Sequence, residues 1–91
     1  MRIVIADREE TVIEEIIRVL ENSKVEYKLE GTTDNSKEGY ELIKTVRPDL
    51  VIMDVSLEGS DGLAMMKKLR ADGVTSKLII LTEDTDFNTA R

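Results

Sequence analysis

Three short apolar runs constrain this chain more than any other feature: Ile3-Val4-Ile5-Ala6, Leu50-Val51-Ile52-Met53 and Leu78-Ile79-Ile80-Leu81. Each is unbroken and rich in β-branched residues. Strands buried on both faces look like this, as in a parallel sheet covered by helices on each side. A fourth candidate, Val25 to Leu29, alternates apolar with polar residues, as an edge strand with one wet face would. Each of the three full runs is followed by a polar residue: Asp7, Asp54 and Thr82. Open parallel sheets build their sites at the carboxyl ends of strands, so these three residues are the first candidates for chemistry.

Helical patterns lie between the runs. Val12, Ile13, Ile16, Ile17 and Leu20 recur at three- and four-residue steps, with Glu14, Glu15, Arg18 and Glu21 on the other face. A second helix carries Tyr40, Leu42, Ile43 and Val46 and must end before Pro48, which disfavours helix in the residue ahead of it. A third bears Leu63, Met65, Met66 and Leu69, with Asp61 as its cap, Gly73 just past its end and the two methionines as core filler. Another helix is expected from near Asp84. The order β-α-β-α-β-α-β implies right-handed crossovers and one α/β domain over residues 1–91.

Composition narrows the chemistry. There is no His and no Cys, which removes imidazole catalysis, Ser-His-Asp triads, thiolate nucleophiles and the usual zinc sites. Thirteen Lys and Arg against nineteen Asp and Glu leave a formal charge of −6, which argues against naked nucleic acid or an anionic membrane as partner. No apolar run approaches the roughly 18 residues needed to span a bilayer, and the expected location is the cytoplasm. What remains for chemistry is carboxylates, hydroxyls, Lys and Arg. If the first and third runs are neighbouring strands, about 4.8 Å apart, Asp7 and Asp54 can reach one ion. Two carboxylates with a carbonyl and waters suit Mg²⁺, a hard cation that prefers oxygen ligands. The plainer reading of such acids is that they cap the helices that follow.

The segment Arg47-Pro48-Asp49-Leu50-Val51-Ile52-Met53-Asp54-Val55-Ser56-Leu57-Glu58-Gly59-Ser60-Asp61-Gly62-Leu63 resembles the phosphoacceptor region of the receiver domains of two-component response regulators. Ile3 to Asp7 is similar to their first strand and acidic pocket, and Leu78 to Thr82 to their fourth strand. The resemblance implies a flavodoxin-like, three-layer α/β/α fold with strand order 2-1-3-4. It also implies phosphorelay signalling by a domain that is not itself an enzyme. Asp54 would accept a phosphoryl group from a sensor histidine kinase or phosphotransfer protein, and Thr82 would contact that group. Asp7, Asp54 and the backbone carbonyl of Ser56 would hold Mg²⁺.

Four departures qualify the resemblance. Arg8 stands where the family usually has a second metal-binding acid. One unit charge pair at about 4 Å is worth on the order of 4 kcal/mol at an effective dielectric of 20, so Mg²⁺ affinity should fall unless Glu9 or Glu10 replaces the missing carboxylate. Arg8 could also pair with Asp54 or clamp a phosphoryl group with its planar fork. Glu58 replaces a common Pro, and Glu83 replaces a small residue beside Thr82. The chain also ends at Arg91, before the family's last strand, which carries a Lys, and its last helix. This leaves the expectation of an exposed edge at Leu78 to Leu81, with a homodimer through strand four or a fragment of a longer protein. The alternative to phosphorylation is a pseudo-receiver, an unphosphorylated interaction or dimerisation module. Enzyme readings fare worse. A haloacid-dehalogenase type wants a second Asp where Ser56 stands, and Asp7-Arg8-Glu9-Glu10 lacks the glycines of a dinucleotide site.

Overall fold

The computed structural model describes residues 1–54, 57 and 62–81. They form β1 (Arg2–Ala6), α1 (Glu10–Asn22), β2 (Lys28–Thr33), α2 (Ser36–Val46), β3 (Leu50–Asp54), α3 (Gly62–Ala71) and β4 (Lys77–Leu81). Every strand pairing is parallel, and the order is β2-β1-β3-β4, the flavodoxin-like order that the resemblance implied. β1 lies inside the sheet because its residues suit no other place: Ile3, Val4, Ile5 and Ala6 are wholly buried. Their alternation divides the core in two. Ile3 and Ile5 join Ile52 under α1, while Val4 and Ala6 join Val51 and Met53 under α2 and α3. Burial of one such Ile stabilises by about 1.5–3 kcal/mol, a large share of what a small domain retains in total.

The helices show how local chemistry sets their ends. The stripe Ile13, Ile16, Ile17 and Leu20 lays α1 on the sheet, yet no residue of α1 is fully buried and Val19 is 68% exposed. At the start of α2, the Asn35 side chain accepts from the Glu38 amide at 2.8 Å and donates to the Glu38 carboxylate at 2.8 Å, a reciprocal cap. α2 stops at Arg47, which adopts left-handed φ 51 and ψ 64 ahead of Pro48. α3 stops at Gly73, whose φ of 87 favours glycine. There the Gly73 amide donates to the Arg70 carbonyl and the Val74 amide to the Leu69 carbonyl, the two bonds of a Schellman ending. Leu69 and Val74 meet in the core beside it.

Two expectations change. The second strand spans Lys28–Thr33, not Val25 to Leu29. The alternation at Val25 is not a strand face, since Val25 is 50% exposed. β1 instead pairs with Lys28, Leu29, Gly31, Thr32 and Thr33, stepping past Glu30 at an irregularity in register. The polar stretch Glu30-Gly31-Thr32-Thr33 hides a strand because an edge position tolerates polar side chains, and Gly31 leaves room for Leu42 of α2, which a Cβ would approach to 3.1 Å. The fourth run is not buried on both faces. β4 is the outermost strand of the described sheet, and Ile79 and Ile80 are 47% and 41% exposed. On α3, Leu63 is exposed while Met65, Met66 and Leu69 enter the core. The expected Asp61 cap and the helix near Asp84 lie outside the described residues.

Candidate functional site

The register of β1 and β3 builds the site. Ile3 pairs with Leu50, and the match continues through Ala6 and Met53. Asp7 and Asp54, the last residue of β3, each follow that last matched pair, on strands about 4.8 Å apart. In-register neighbours in a parallel pair send their side chains to the same face, so the two acids belong to one locality. Asp7 is buried, at 4% exposure, and Asp54 is half-buried.

Asp7 does two jobs. Its amide donates to the Thr33 carbonyl at 2.9 Å, which carries the β1–β2 pairing one step beyond the strand. Its Oδ1 accepts from the Glu9 amide at 2.8 Å, a local turn that sends the chain off the sheet towards α1. Glu9 is the residue ahead of α1, in extended conformation and without a side-chain cap bond, while its carbonyl accepts from Val12 and Ile13. These two bonds give Asp7 a structural use and hold its carboxylate at the end of β1, ahead of α1.

From Asp7 a cleft of about 600 Å³ opens between α1 and the ends of β2 and α2. Asp7, Glu10, Glu14, Asp34 and Glu38 line it, and Arg8 is the one cation among its described lining residues. Arg8 is exposed and shares that wall with the carboxylates. Among the described residues, no three carboxylates are grouped closely enough to hold a metal ion. The donor set of Asp7 and Asp54 still fits Mg²⁺, which commonly takes one or two carboxylates and keeps several waters. Ser56, Thr82, Glu58 and Glu83 lie outside the described residues. Thr33, buried and bonded through its carbonyl to Asp7, is a supporting residue that sequence reasoning missed. Its signal would have been a strand ending there.

A family model described as the response regulator receiver domain matches residues 3–91. The chain belongs to this family. Among curated relatives, this receiver domain is 31% identical over 90 residues to the uncharacterized transcriptional regulatory protein YesN of Bacillus subtilis, covering 99% of the chain and 24% of that protein. It is 29% identical over 52 residues to the nitrate/nitrite response regulator protein NarL of Escherichia coli, covering 57% of the chain and 24% of that protein. The chain thus spans about a quarter of each of these two relatives. Among solved structures, the signal receiver domain of a modulated diguanylate cyclase from Desulfovibrio desulfuricans superposes with a TM-score of 0.78 at 26% identity, covering 98% of this chain and 70% of that one. A two-component response regulator of the LuxR family from Aurantimonas gives 0.79 at 27% identity, covering 89% of this chain and 57% of that one. Among the described residues, no helix is long and apolar enough to cross a membrane.

The placement of Arg8 yields an expected outcome. Arg8→Asp replaces a cation beside Asp7 by an anion, and interactions between exposed charges are worth up to about 1 kcal/mol each. Mg²⁺ affinity measured by titration calorimetry should then rise roughly 5- to 10-fold. An unchanged affinity would show that Arg8 does not act on the Asp7 locality.

Proposed function

We propose that this receiver domain accepts a phosphoryl group on Asp54 from a phosphohistidine of a sensor histidine kinase or phosphotransfer protein. The observation that carries the reading is the register that sets Asp54 beside Asp7 at the carboxyl ends of two paired strands. An Asp54 carboxylate oxygen attacks phosphorus, an acyl phosphate forms, and the phosphorus–nitrogen bond breaks with its electron pair leaving on the donor imidazole. The chain has no His, so that imidazole belongs to the partner. Mg²⁺ held by Asp7, Asp54 and the carbonyl of Ser56 would offset the negative charge that gathers when a phosphoryl group meets two carboxylates. Thr82 donates its hydroxyl to the acquired group. In this reading the domain is a switch and not a turnover enzyme, with the cytoplasm as its expected compartment.

Arg8 favours a second reading, a pseudo-receiver that is never phosphorylated. Incubation with Mg²⁺ and acetyl phosphate, followed by intact-mass measurement, separates the two. The expected result is one hydroxylamine-labile phosphoryl adduct that is absent from Asp54→Ala. No adduct at any Mg²⁺ concentration leaves the pseudo-receiver standing.

We also propose that β4 is where two copies of the chain meet. Among the described residues β4 is the outermost strand, with apolar side chains exposed at Ile79 and Ile80, and a strand edge of this kind can pair with a second sheet. Sedimentation velocity is expected to show a dimer that Ile79→Lys converts to monomer. Wild-type protein that stays monomeric as its concentration is raised overturns this.

A further inference from the structure

Gly62 opens α3 and is buried, within the Asp61-Gly62-Leu63 step that distinguishes the sequence. Its conformation does not demand glycine. Gly73 is the glycine with positive φ among the described residues, so an L-residue could take the backbone of Gly62 without strain. Helix propensity favours Ala over Gly by up to about 1 kcal/mol. Space is what works against it. A Cβ at Gly62 would stand 2.9 Å from Met53 Sδ, 3.2 Å from Met53 Cε and 3.2 Å from the backbone carbonyl oxygen of Asp54. Met53 is wholly buried among Met65, Met66 and Leu57, which restricts where its sulfur can go. The carbonyl belongs to a residue laddered to Leu81 of β4.

We propose that Gly62 is a positioning residue for phosphoryl uptake: its bare Cα lets the first turn of α3 close on the carbonyl of Asp54 and fix the backbone that carries the acceptor carboxylate. The inference rests on the reading of Asp54 as phosphoacceptor. A side chain at position 62 must press on Met53, on Asp54 or on both. The Asp54 carbonyl then has to give by a few tenths of an ångström, and since a one-ångström misplacement of reactive groups costs about 100-fold in rate, a loss of several-fold follows.

The comparison glycine is Gly39 in α2. A Cβ there would stand 3.1 Å from Thr33 Cγ2 and 3.2 Å from Met65 Sδ, so it crowds the same methionine-rich core without touching Asp54. Gly62→Ala and Gly39→Ala are therefore measured side by side for melting temperature, for rate of phosphoryl uptake from acetyl phosphate with Mg²⁺, and for the Asp54 amide resonance by ¹⁵N NMR. Both variants are expected to melt below wild type. Gly62→Ala should slow uptake by roughly 3- to 10-fold and shift the Asp54 amide, whereas Gly39→Ala, which presses on Thr33 behind Asp7, should slow it less and leave the Asp54 amide in place. Wild-type uptake in Gly62→Ala, or equal slowing in Gly39→Ala, overturns the proposal. If Gly62→Ala folds poorly, the same measurement is made with Met53→Val in both arms. That change removes the sulfur but leaves the carbonyl contact, so the double variant should still react more slowly than Met53→Val alone, and equal rates overturn the proposal. If wild type itself takes up no phosphoryl group, the acceptor reading fails. The Asp54 amide shift in Gly62→Ala against Gly39→Ala then decides the positioning claim separately.

Discussion

The in-register parallel pairing of β1 with β3 is the constraint on which the rest depends. It brings two acids from distant parts of the sequence, Asp7 and Asp54, to one edge of the sheet. Burial enforces it from both sides. Ile3 and Ile5 must face α1 while Val4 and Ala6 face α2 and α3, so a slip of one residue would turn every apolar side chain to the wrong layer and carry Asp7 out of line with Asp54. The acids need no interaction of their own to find each other. Hydrophobic side chains one to four residues earlier do the placing.

The two ends of the sheet are built differently. At the amino ends of the strands, Arg2 gathers the fold: its amide donates to Asp49 at 2.7 Å, its Nε to Glu30 at 2.7 Å and its Nη2 to the Val46 carbonyl at 2.7 Å. The bond from Arg2 holds the Glu30 carboxyl below the usual carboxylate range. Between the middle of α2 and the end of α3, Tyr40 donates its hydroxyl to Asp72, with Lys68 4.5 Å over its ring, and that bond pushes the phenol above its ordinary value. The carboxyl ends of β1 and β3 carry the acids, and the cleft opens on the Asp7 side of them, towards the end of β2. A scaffold fastened at one end, with its chemistry at the other, is what a site at strand ends requires.

How much of this could be read in advance depended on whether the signal was local. The runs at Ile3 and Leu50 announced strands because full burial demands unbroken apolar residues, and the polar residues after them marked Asp7 and Asp54. β2 escaped because an edge strand paired through Gly31 and two threonines, with Glu30 stepped over at the irregularity in register, carries no apolar alternation. The Asn35–Glu38 cap was legible in its spacing and was overlooked, whereas Tyr40 with Asp72, 32 residues apart, leaves no local trace. The crowding around Gly62 was equally hidden. A glycine that makes room for another element looks, in sequence, like any glycine at a turn.

The central claim is that Asp7 and Asp54 act as one locality for a hard cation. Titration of ¹⁵N-labelled protein with Mg²⁺, followed amide by amide, tests it most directly. The largest saturable shifts should fall on Asp7, Asp54 and their immediate neighbours and be lost in Asp7→Asn. Shifts spread over the glutamates of α1, with Asp7 and Asp54 unmoved, would contradict it.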